Sequence, residues 1–437
     1  MLRTLFANNI VRQLSLLVSG TAIGQLINYA AMLVILRIYG PQAFGEFGAF
    51  NAVLQLLLPL AAFSLPAALP LTTSRIESKA LVSLSNLVSL GFSLMFFVFL
   101  CGFTPYFLEL FSLESSANLV YLLPVALLFS ARLQLAQQTL LKLQQFTVVV
   151  KAELIQAIGL NVLRILVGYC WSVSAVLITL TSVAGWTHKR LLSSVAGDPL
   201  RDAWQPLVFR PRSFRYWRRL KRTLSHYRAF PLFQTPQQLL NGAAQSVPVL
   251  ILAALFGSST VGFYVLAKTL LELPAMLLNR AIGDAFYSHF AIAYRQQGDN
   301  SHLLIKATLG LALAGVVPFG VVAVWGEALV GWLFGAEWRQ SGEYAGWMAV
   351  WLYFAFINIP SVKAVMVLQI QHWAILLNLL TLGLRVSALY WMASVTGNPV
   401  HAVAAFALVG AAHCLVFTAM AISVSKLRAN LTQVVDA

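Results

Sequence analysis

The stretch that decides the fold lies at residues 81–103 and reads LVSLSNLVSLGFSLMFFVFLCGF, without a charged side chain. A membrane core about 30 Å thick is crossed by roughly 20 apolar residues in a helix, because each residue adds about 1.5 Å. Residues 119–128 and 303–324 are apolar in the same way, and Lys306 is the only charge in either. These runs predict membrane-spanning helices.

The composition excludes an ordinary soluble protein. Hydrophobic residues make up 59% of the 437-residue chain and charged residues 10%, whereas soluble domains carry about 25% charged residues. Too little polar surface remains to coat the two or three soluble domains that this length would need. Cys101, Cys170 and Cys414 have neither the spacing of a metal site nor that of a disulfide framework. We therefore predict an all-α integral membrane protein with no cofactor and no metal.

Hydropathy predicts about twelve spans. The first is expected to be retained in the mature protein, because its apolar run is too long for a signal peptide and lacks an obvious cleavage site. The sixth is the shortest. The predicted spans are approximately residues 14–36, 44–66, 81–103, 119–141, 148–170, 171–187, 229–255, 260–282, 303–325, 343–364, 374–395 and 400–424.

The net charge is +15, and the positions of the basic residues along the chain indicate the membrane topology. Eleven of the 29 lysines and arginines fall between Lys189 and Arg228, and the other basic loops lie on the same predicted side. Basic loops mark the cytoplasmic side of a membrane protein, so both termini are predicted to be cytoplasmic, and no nucleic-acid partner is expected. The opposite loops carry mainly acidic residues, namely Glu109, Glu114, Glu327, Glu337 and Glu343.

The basic segment divides the chain into two predicted halves. Residues 1–187 form a six-helix bundle, residues 188–228 a basic cytoplasmic linker, and residues 229–437 a second six-helix bundle. The stretch Arg210–Arg228 mixes basic and aromatic residues, which is typical of a helix lying on an anionic membrane surface. A docking site for a partner protein is the alternative.

An internal repeat supports the two halves. Gly40 and Gly45 lie between the first two spans, and Gly257 and Gly262 lie 217 residues further on, between the first two spans of the second half. A glycine at each place allows a tight turn with positive φ. Two six-span halves run in the same direction and are related by an axis along the membrane normal, as in transporters with alternating access around a central cleft.

Cations inside the predicted spans indicate the function. A cation at mid-membrane costs about 2.5–3.5 kcal/mol, and the nearby acids Glu153, Glu272 and Asp284 are too few to pair with all of them. Lys268 and Glu272 are four residues apart on one helix and can pair. The surplus predicts an anionic ligand. The predicted cationic lumen comprises Arg132, Arg164, Lys268 and Arg385, with Arg37 at the far end of the first span.

Amide side chains accompany these cations within the spans. Amides both donate and accept hydrogen bonds, which suits a hydroxyl-rich substrate, although each one alone is more often a contact between helices. Among them are Gln25, Asn28, Asn241 and Gln245. Glu272 or Glu153 could couple transport to H⁺ or Na⁺, because buried carboxylates can titrate near neutral pH.

The chain resembles the O-antigen and polysaccharide flippases of the multidrug/oligosaccharidyl-lipid/polysaccharide exporter superfamily. The resemblance covers most of the length and is clearest in Tyr39–Phe50, in Gly262–Tyr287, and in Gly335–Trp338 followed by Tyr344-Ala345. It implies two six-helix bundles in a V and translocation of undecaprenyl-diphosphate-linked oligosaccharide across the bacterial inner membrane. A glycan polymerase is a possible partner, alongside membrane lipid.

The eighth span also resembles the lipid II flippases, where an Ala-x-Arg-x-x-Glu-Leu-Pro stretch faces the cavity. Here the stretch is Ala267–Pro274, in which Glu272 matches and Thr269 stands at the arginine position. Lys268 is one residue away, about 100° around the helix. It therefore remains only a candidate for the cationic role.

Two other functions stay open. A multidrug exporter of the same superfamily would favour an acidic, aromatic cleft, whereas the charge in these spans is mainly positive. A membrane-embedded glycan polymerase or glycosyltransferase would need a sizeable outward loop and paired carboxylates, and the longest loop here is predicted to face the cytoplasm. We expect a transporter and not an enzyme.

Overall fold

A computed structural model of the protein describes residues 2–111, 114–197, 214–295 and 301–435. Within them the chain is almost entirely helical and shows no strand, which confirms the predicted fold class. Short 3₁₀ segments join some of the α-helices. The α-helices are α1 (Leu2–Ala62), α2 (Arg75–Phe111), α3 (Leu123–Lys142), α4 (Phe146–Cys170), α5 (Ser174–Ala196), α6 (Phe214–His226), α7 (Thr235–Phe256), α8 (Ser258–Arg295), α9 (Ser301–Phe334), α10 (Arg339–Ile357), α11 (Ile359–Val367), α12 (Gln371–Thr396) and α13 (Pro399–Val435).

The helices accommodate the predicted spans in order. Spans one and two are the two parts of α1, span ten is α10 with α11, and every other span has one long helix. Nine helical stretches in the described residues are long and apolar enough to cross a membrane. The helix at the sixth span is longer than predicted, because α5 continues to Ala196, into the segment predicted as the linker. Residues 198–213 of that linker lie outside the described residues.

The predicted glycine turns are confirmed and share one backbone conformation. Gly40, at the kink inside α1, has φ 70° and ψ 173°, and Gly257, between α7 and α8, has φ 81° and ψ 178°. This region of φ and ψ is essentially restricted to glycine. The same glycine-specific backbone conformation at equivalent positions of the two halves supports the internal repeat.

The chain forms two compact units, Met1–Ser258 (unit 1) and Ser259–Ala437 (unit 2). Helix α7 belongs to unit 1 by its contacts, since it packs along α1. The approach is close at Gly242, where a Cβ would lie 3.3 Å from the carbonyl oxygen of Gln55. The division of the sequence into bundles at residues 188–228 remains a prediction.

The predicted basic helix is present as α6, and it packs on unit 1. Its inner face carries Tyr216 and Leu220, which join a core with Leu81 of α2 and Leu135 of α3. Tyr227, just beyond the helix, completes this core. The segment is therefore held against the bundle by buried apolar surface, which is the main stabilising term for such contacts.

In unit 2, α9 and α10 pack backbone against backbone. A Cβ on Gly342 would lie 2.3 Å from the Cα of Glu327, and one on Gly326 would lie 2.8 Å from the carbonyl oxygen of Gly342. Gly346, one turn further on, would meet the carbonyl oxygen of Ala323 at 3.1 Å. Gly342 and Gly346 have the Gly-x-x-x-Gly spacing that allows close contact of membrane helices.

Candidate functional site

Arg385 of α12 is partly covered and is one of the two predicted cations in unit 2. Its guanidinium carbon lies 3.9 Å from the ring centre of Trp351 and 3.8 Å from that of Phe406, so aromatic rings from α10 and α13 contact it. Its Nε donates a hydrogen bond to the carbonyl oxygen of Phe406, at 3.2 Å. Gly410 leaves room for this packing, because a Cβ there would lie 2.8 Å from Trp351 and 3.0 Å from the guanidinium carbon.

The edge of the Arg385 guanidinium keeps unused hydrogen-bonding capacity. Its Nη2 is buried and has no acceptor among the described residues, and no described carboxylate lies within ion-pair distance. Aromatic stacking contacts a guanidinium through its face and leaves its N–H groups free to bind in the plane. A buried donor without an acceptor is costly, so an anion approaching this edge would be favoured.

Lys268 of α8 lies close enough to Arg385 for the two cations to repel each other. Its Nζ is 3.6 Å from a carboxylate oxygen of Glu272, and the side chains are 18% and 51% exposed, respectively. This is the predicted pair. Thr269, at the position where lipid II flippases carry arginine, donates to the carbonyl oxygen of Val265 and supplies no charge. Lys268 and Arg385, both of unit 2, are therefore near enough to interact electrostatically.

Arg164 of α4 occupies a comparable setting in unit 1. Its Nη2 donates to the hydroxyl of Thr181 at 2.8 Å, and its guanidinium carbon lies 5.6 Å from the ring centre of Phe47. Tyr39 donates to the backbone carbonyl of Arg164, also at 2.8 Å. The Nε of Arg164 is buried and lacks an acceptor in the part of the chain that the structure describes.

Arg132 of α3 lies in a second cationic cluster of unit 1. It is close enough to Lys189 of α5 for electrostatic repulsion, and its Nε is buried with no acceptor among the described side chains and backbone. Lys189 is eight residues beyond Thr181 on α5, about 12 Å at 1.5 Å per residue. The Arg132 and Arg164 clusters therefore lie at different levels along α5.

Arg37 differs from the other four predicted cations, because its side chain is exposed and theirs are partly covered.

The predicted amide side chains differ in their contacts and exposure. Asn28 of α1 accepts a hydrogen bond from Asn161 of α4 at 2.7 Å, so this pair joins two helices. Gln25 is partly covered on α1, whereas Asn241 and Gln245 are exposed on α7.

The two predicted ion-coupling carboxylates have different surroundings. Glu153 is partly covered and receives a hydrogen bond from the hydroxyl of Thr21, whereas Glu272 is paired with Lys268. Sequence reasoning missed a third acid, Glu46, which is 9% exposed and accepts a hydrogen bond from Ser174. Its position in the conspicuous Tyr39–Phe50 stretch was the available signal.

A family model described as polysaccharide biosynthesis protein matches residues 34–343. No curated protein sequence matches the chain. Among solved structures, the lipid II flippase MurJ in an inward closed conformation aligns with a TM-score of 0.66 and 11% identity, over 96% of this chain and 91% of that chain.

Two other transporters show the same fold. An inward-facing multidrug resistance MATE family transporter of the MOP superfamily aligns with a TM-score of 0.66 and 14% identity, over 94% of this chain and 96% of that chain. A MOP superfamily transporter from Pyrococcus furiosus, with a binding pocket of reverse polarity, aligns with a TM-score of 0.52 and 11% identity, over 95% of this chain and 96% of that chain. At these identities the likeness establishes the transporter fold alone.

Proposed function

Since the chain belongs to the family of polysaccharide biosynthesis proteins, we propose that it is a flippase for undecaprenyl-diphosphate-linked oligosaccharide. It moves the repeat unit of O-antigen or of another surface polysaccharide from the cytoplasmic to the periplasmic leaflet of the bacterial inner membrane. The movement follows alternating access. Both termini are cytoplasmic in this proposal, which rests on the basic loops.

The observation that supports this substrate is the unused donor capacity of three partly covered arginines. Arg132, Arg164 and Arg385 each keep a buried nitrogen without an acceptor, and none is paired with a carboxylate among the described residues. Guanidinium groups bind phosphate oxygens through paired, charge-assisted hydrogen bonds. The phosphate oxygens of a diphosphate would supply the acceptors that these donors lack.

A multidrug exporter is the second candidate, because a MATE transporter aligns as well as the lipid II flippase does. Such a transporter, if it carries organic cations, needs carboxylates that are available to them. Glu272 is paired with Lys268. The three arginines without a carboxylate partner among the described residues outnumber the remaining acids Glu46 and Glu153, so the charge balance favours an anionic substrate. A polymerase that extends the same glycan is a natural partner in this proposal.

Deletion of the gene is expected to make the lipid-linked oligosaccharide accumulate on the cytoplasmic leaflet, because synthesis continues while translocation stops. The measurement is extraction of lipid-linked sugars, with leaflet assignment by an impermeant glycosidase applied to spheroplasts and to inverted vesicles. A plasmid copy of the wild-type gene is the control and should restore export. Unchanged lipid-linked sugars together with greater sensitivity to cationic drugs would favour the exporter instead.

Glu153 is expected to carry the coupling ion if transport is driven by H⁺. A carboxylate that binds and releases an ion should not be held in a permanent ion pair, and Glu153 has only the Thr21 hydroxyl as its identified partner. Glu153→Gln should abolish the dependence of flipping on a pH gradient in reconstituted vesicles. The matched variant Glu272→Gln should keep it, and the opposite ranking of the two variants would rule out this assignment.

A further inference from the structure

Helix α6 has an outer face that the proposed transport mechanism does not use. Successive residues turn by about 100° around a helix, so Phe214, Trp217, Lys221 and Leu224 fall within one arc of about 80°, outside the buried inner side. Phe214 is 80% exposed, Trp217 54% and Leu224 40%. Neighbouring exposed apolar side chains mark a surface that contacts another molecule or a membrane.

Lys221 gives this outer face a positive charge. Its side chain is exposed and forms no ion pair with a carboxylate in the part of the chain that the structure describes. The sequence of α6, FRYWRRLKRTLSH, contains no acid. Glu77 keeps its negative charge, but it lines a groove on another side of α6, together with Arg219 and Arg222. The outer face is therefore apolar with a cation in its middle, which complements an anionic lipid surface.

The packing of α6 places it where the neighbouring helices enter the membrane. Its inner side contacts a core that contains Leu81 of α2 and Leu135 of α3, which lie about 9 and 10 Å from the basic ends of those helices. Helix α6 therefore packs against the sides of α2 and α3 and not on their tips. Leu81 also begins the predicted span 81–103, and the next stretch apolar enough to cross a membrane starts at Phe230. This is the level of the lipid headgroups.

We propose that the outer face of α6 binds the anionic lipid surface of the adjacent leaflet. Phe214, Trp217 and Leu224 enter the boundary between headgroups and acyl chains, where aromatic rings are favoured. Lys221 reaches a lipid phosphate, because a long cationic side chain keeps its stem in apolar contact while its charge stays at the polar level. A soluble acidic protein fits less well, since α6 packs at the membrane boundary and not beyond it.

The test measures which lipids surround α6 in a bilayer. The full-length protein carries Leu224→Cys, labelled with a fluorescent group, and the exposed cysteines Cys101 and Cys170 are replaced by alanine. It is reconstituted in phosphatidylcholine vesicles that contain a small fraction of brominated phosphatidylglycerol or, in parallel, of brominated phosphatidylcholine. Bromine on the acyl chains quenches the label only at close range, so the quenching curves give the apparent affinity of each lipid for the outer face.

We expect both brominated lipids to quench the label, and phosphatidylglycerol to show an apparent affinity at least about fivefold higher, which is the contribution of one cation near an anionic surface. Lys221→Gln should remove most of this preference. The matched control Arg215→Gln removes the same charge from an exposed position of the same helix, about 120° away from Lys221. It should keep most of the preference.

Three outcomes would overturn the proposal. Absence of quenching by both lipids would mean that the outer face meets solvent and is available to a soluble partner. Equal quenching by the two lipids would mean that the surface does not select anionic lipid. Equal preferences in Lys221→Gln and Arg215→Gln would remove the role given to Lys221. Should either substituted protein fail to fold, the labelled protein without it still decides the first two outcomes.

Discussion

Replacing Arg385 by glutamate is expected to abolish export of the polysaccharide. The substitution puts a carboxylate between Trp351 and Phe406, where the guanidinium now lies 3.9 and 3.8 Å from the ring centres. It also replaces a buried donor by an acceptor that would repel a diphosphate. Losing the charged partner of a bound diphosphate costs about 2–5 kcal/mol, so transport should fall at least about 30-fold. The measurement is surface polysaccharide in a deletion strain that carries the variant.

Milder substitutions separate charge from shape at the same position. Arg385→Lys keeps the charge but loses the planar, stacked group, so it should retain part of the activity, whereas Arg385→Gln should lose most of it. Arg218→Glu is the control, because this arginine is exposed on α6. Membrane levels of every variant are compared by immunoblot. Normal export in an Arg385→Glu protein at normal abundance would contradict the role given to the cation.

The second large effect concerns folding, and it is expected at Gly342. A Cβ there would lie 2.3 Å from the Cα of Glu327 and 2.4 Å from the carbonyl oxygen of Gly326. Both obstructing atoms belong to the backbone, so no side chain can rotate away and α9 must separate from α10. We expect Gly342→Ala to lower the free energy of unfolding by at least about 3 kcal/mol, at the upper end of the usual cost of overpacking.

The control for this prediction is Gly320→Ala, in α9, the helix that packs against Gly342 of α10. A Cβ at Gly320 meets nothing within 4 Å, and alanine is the better helix former by about 1 kcal/mol. The second variant should therefore be neutral or slightly more stable. The measurement is the thermal midpoint of unfolding of the detergent-purified protein. Size-exclusion chromatography of each variant checks that the purified protein is monodisperse. Equal midpoints for the two variants would contradict the close packing of α9 and α10.

The long helices were predictable because each carries its own signal in the sequence. A bilayer requires an apolar run of fixed length, and α2 and α4 satisfy that requirement without reference to any other segment. The turn at Gly40 was also predictable, because only glycine tolerates its backbone angles. The end of α5 was not, because Lys189 and Arg190 looked like loop residues although they continue the helix to Ala196.

The candidate site could be predicted only in part. The cations themselves stand out, since Arg164 and Arg385 interrupt apolar runs. Their neighbours do not, because Thr181, Trp351 and Phe406 reach the guanidinium groups from other helices and no local pattern records that packing. The contact between α9 and α10 could be predicted in part. The spacing of Gly342 and Gly346 was visible in the sequence, but the facing Gly326 was not identifiable from it.

The central claim, that partly covered arginines within the helices bind a diphosphate, is tested most directly by equilibrium binding. Undecaprenyl diphosphate and undecaprenol are titrated separately into the purified wild-type protein and into Arg385→Gln. The account predicts that the wild type binds the diphosphate at least about tenfold more tightly than the alcohol, and that Arg385→Gln loses most of this preference. Equal affinity of the wild-type protein for the two lipids, or an unchanged preference in Arg385→Gln, would contradict it.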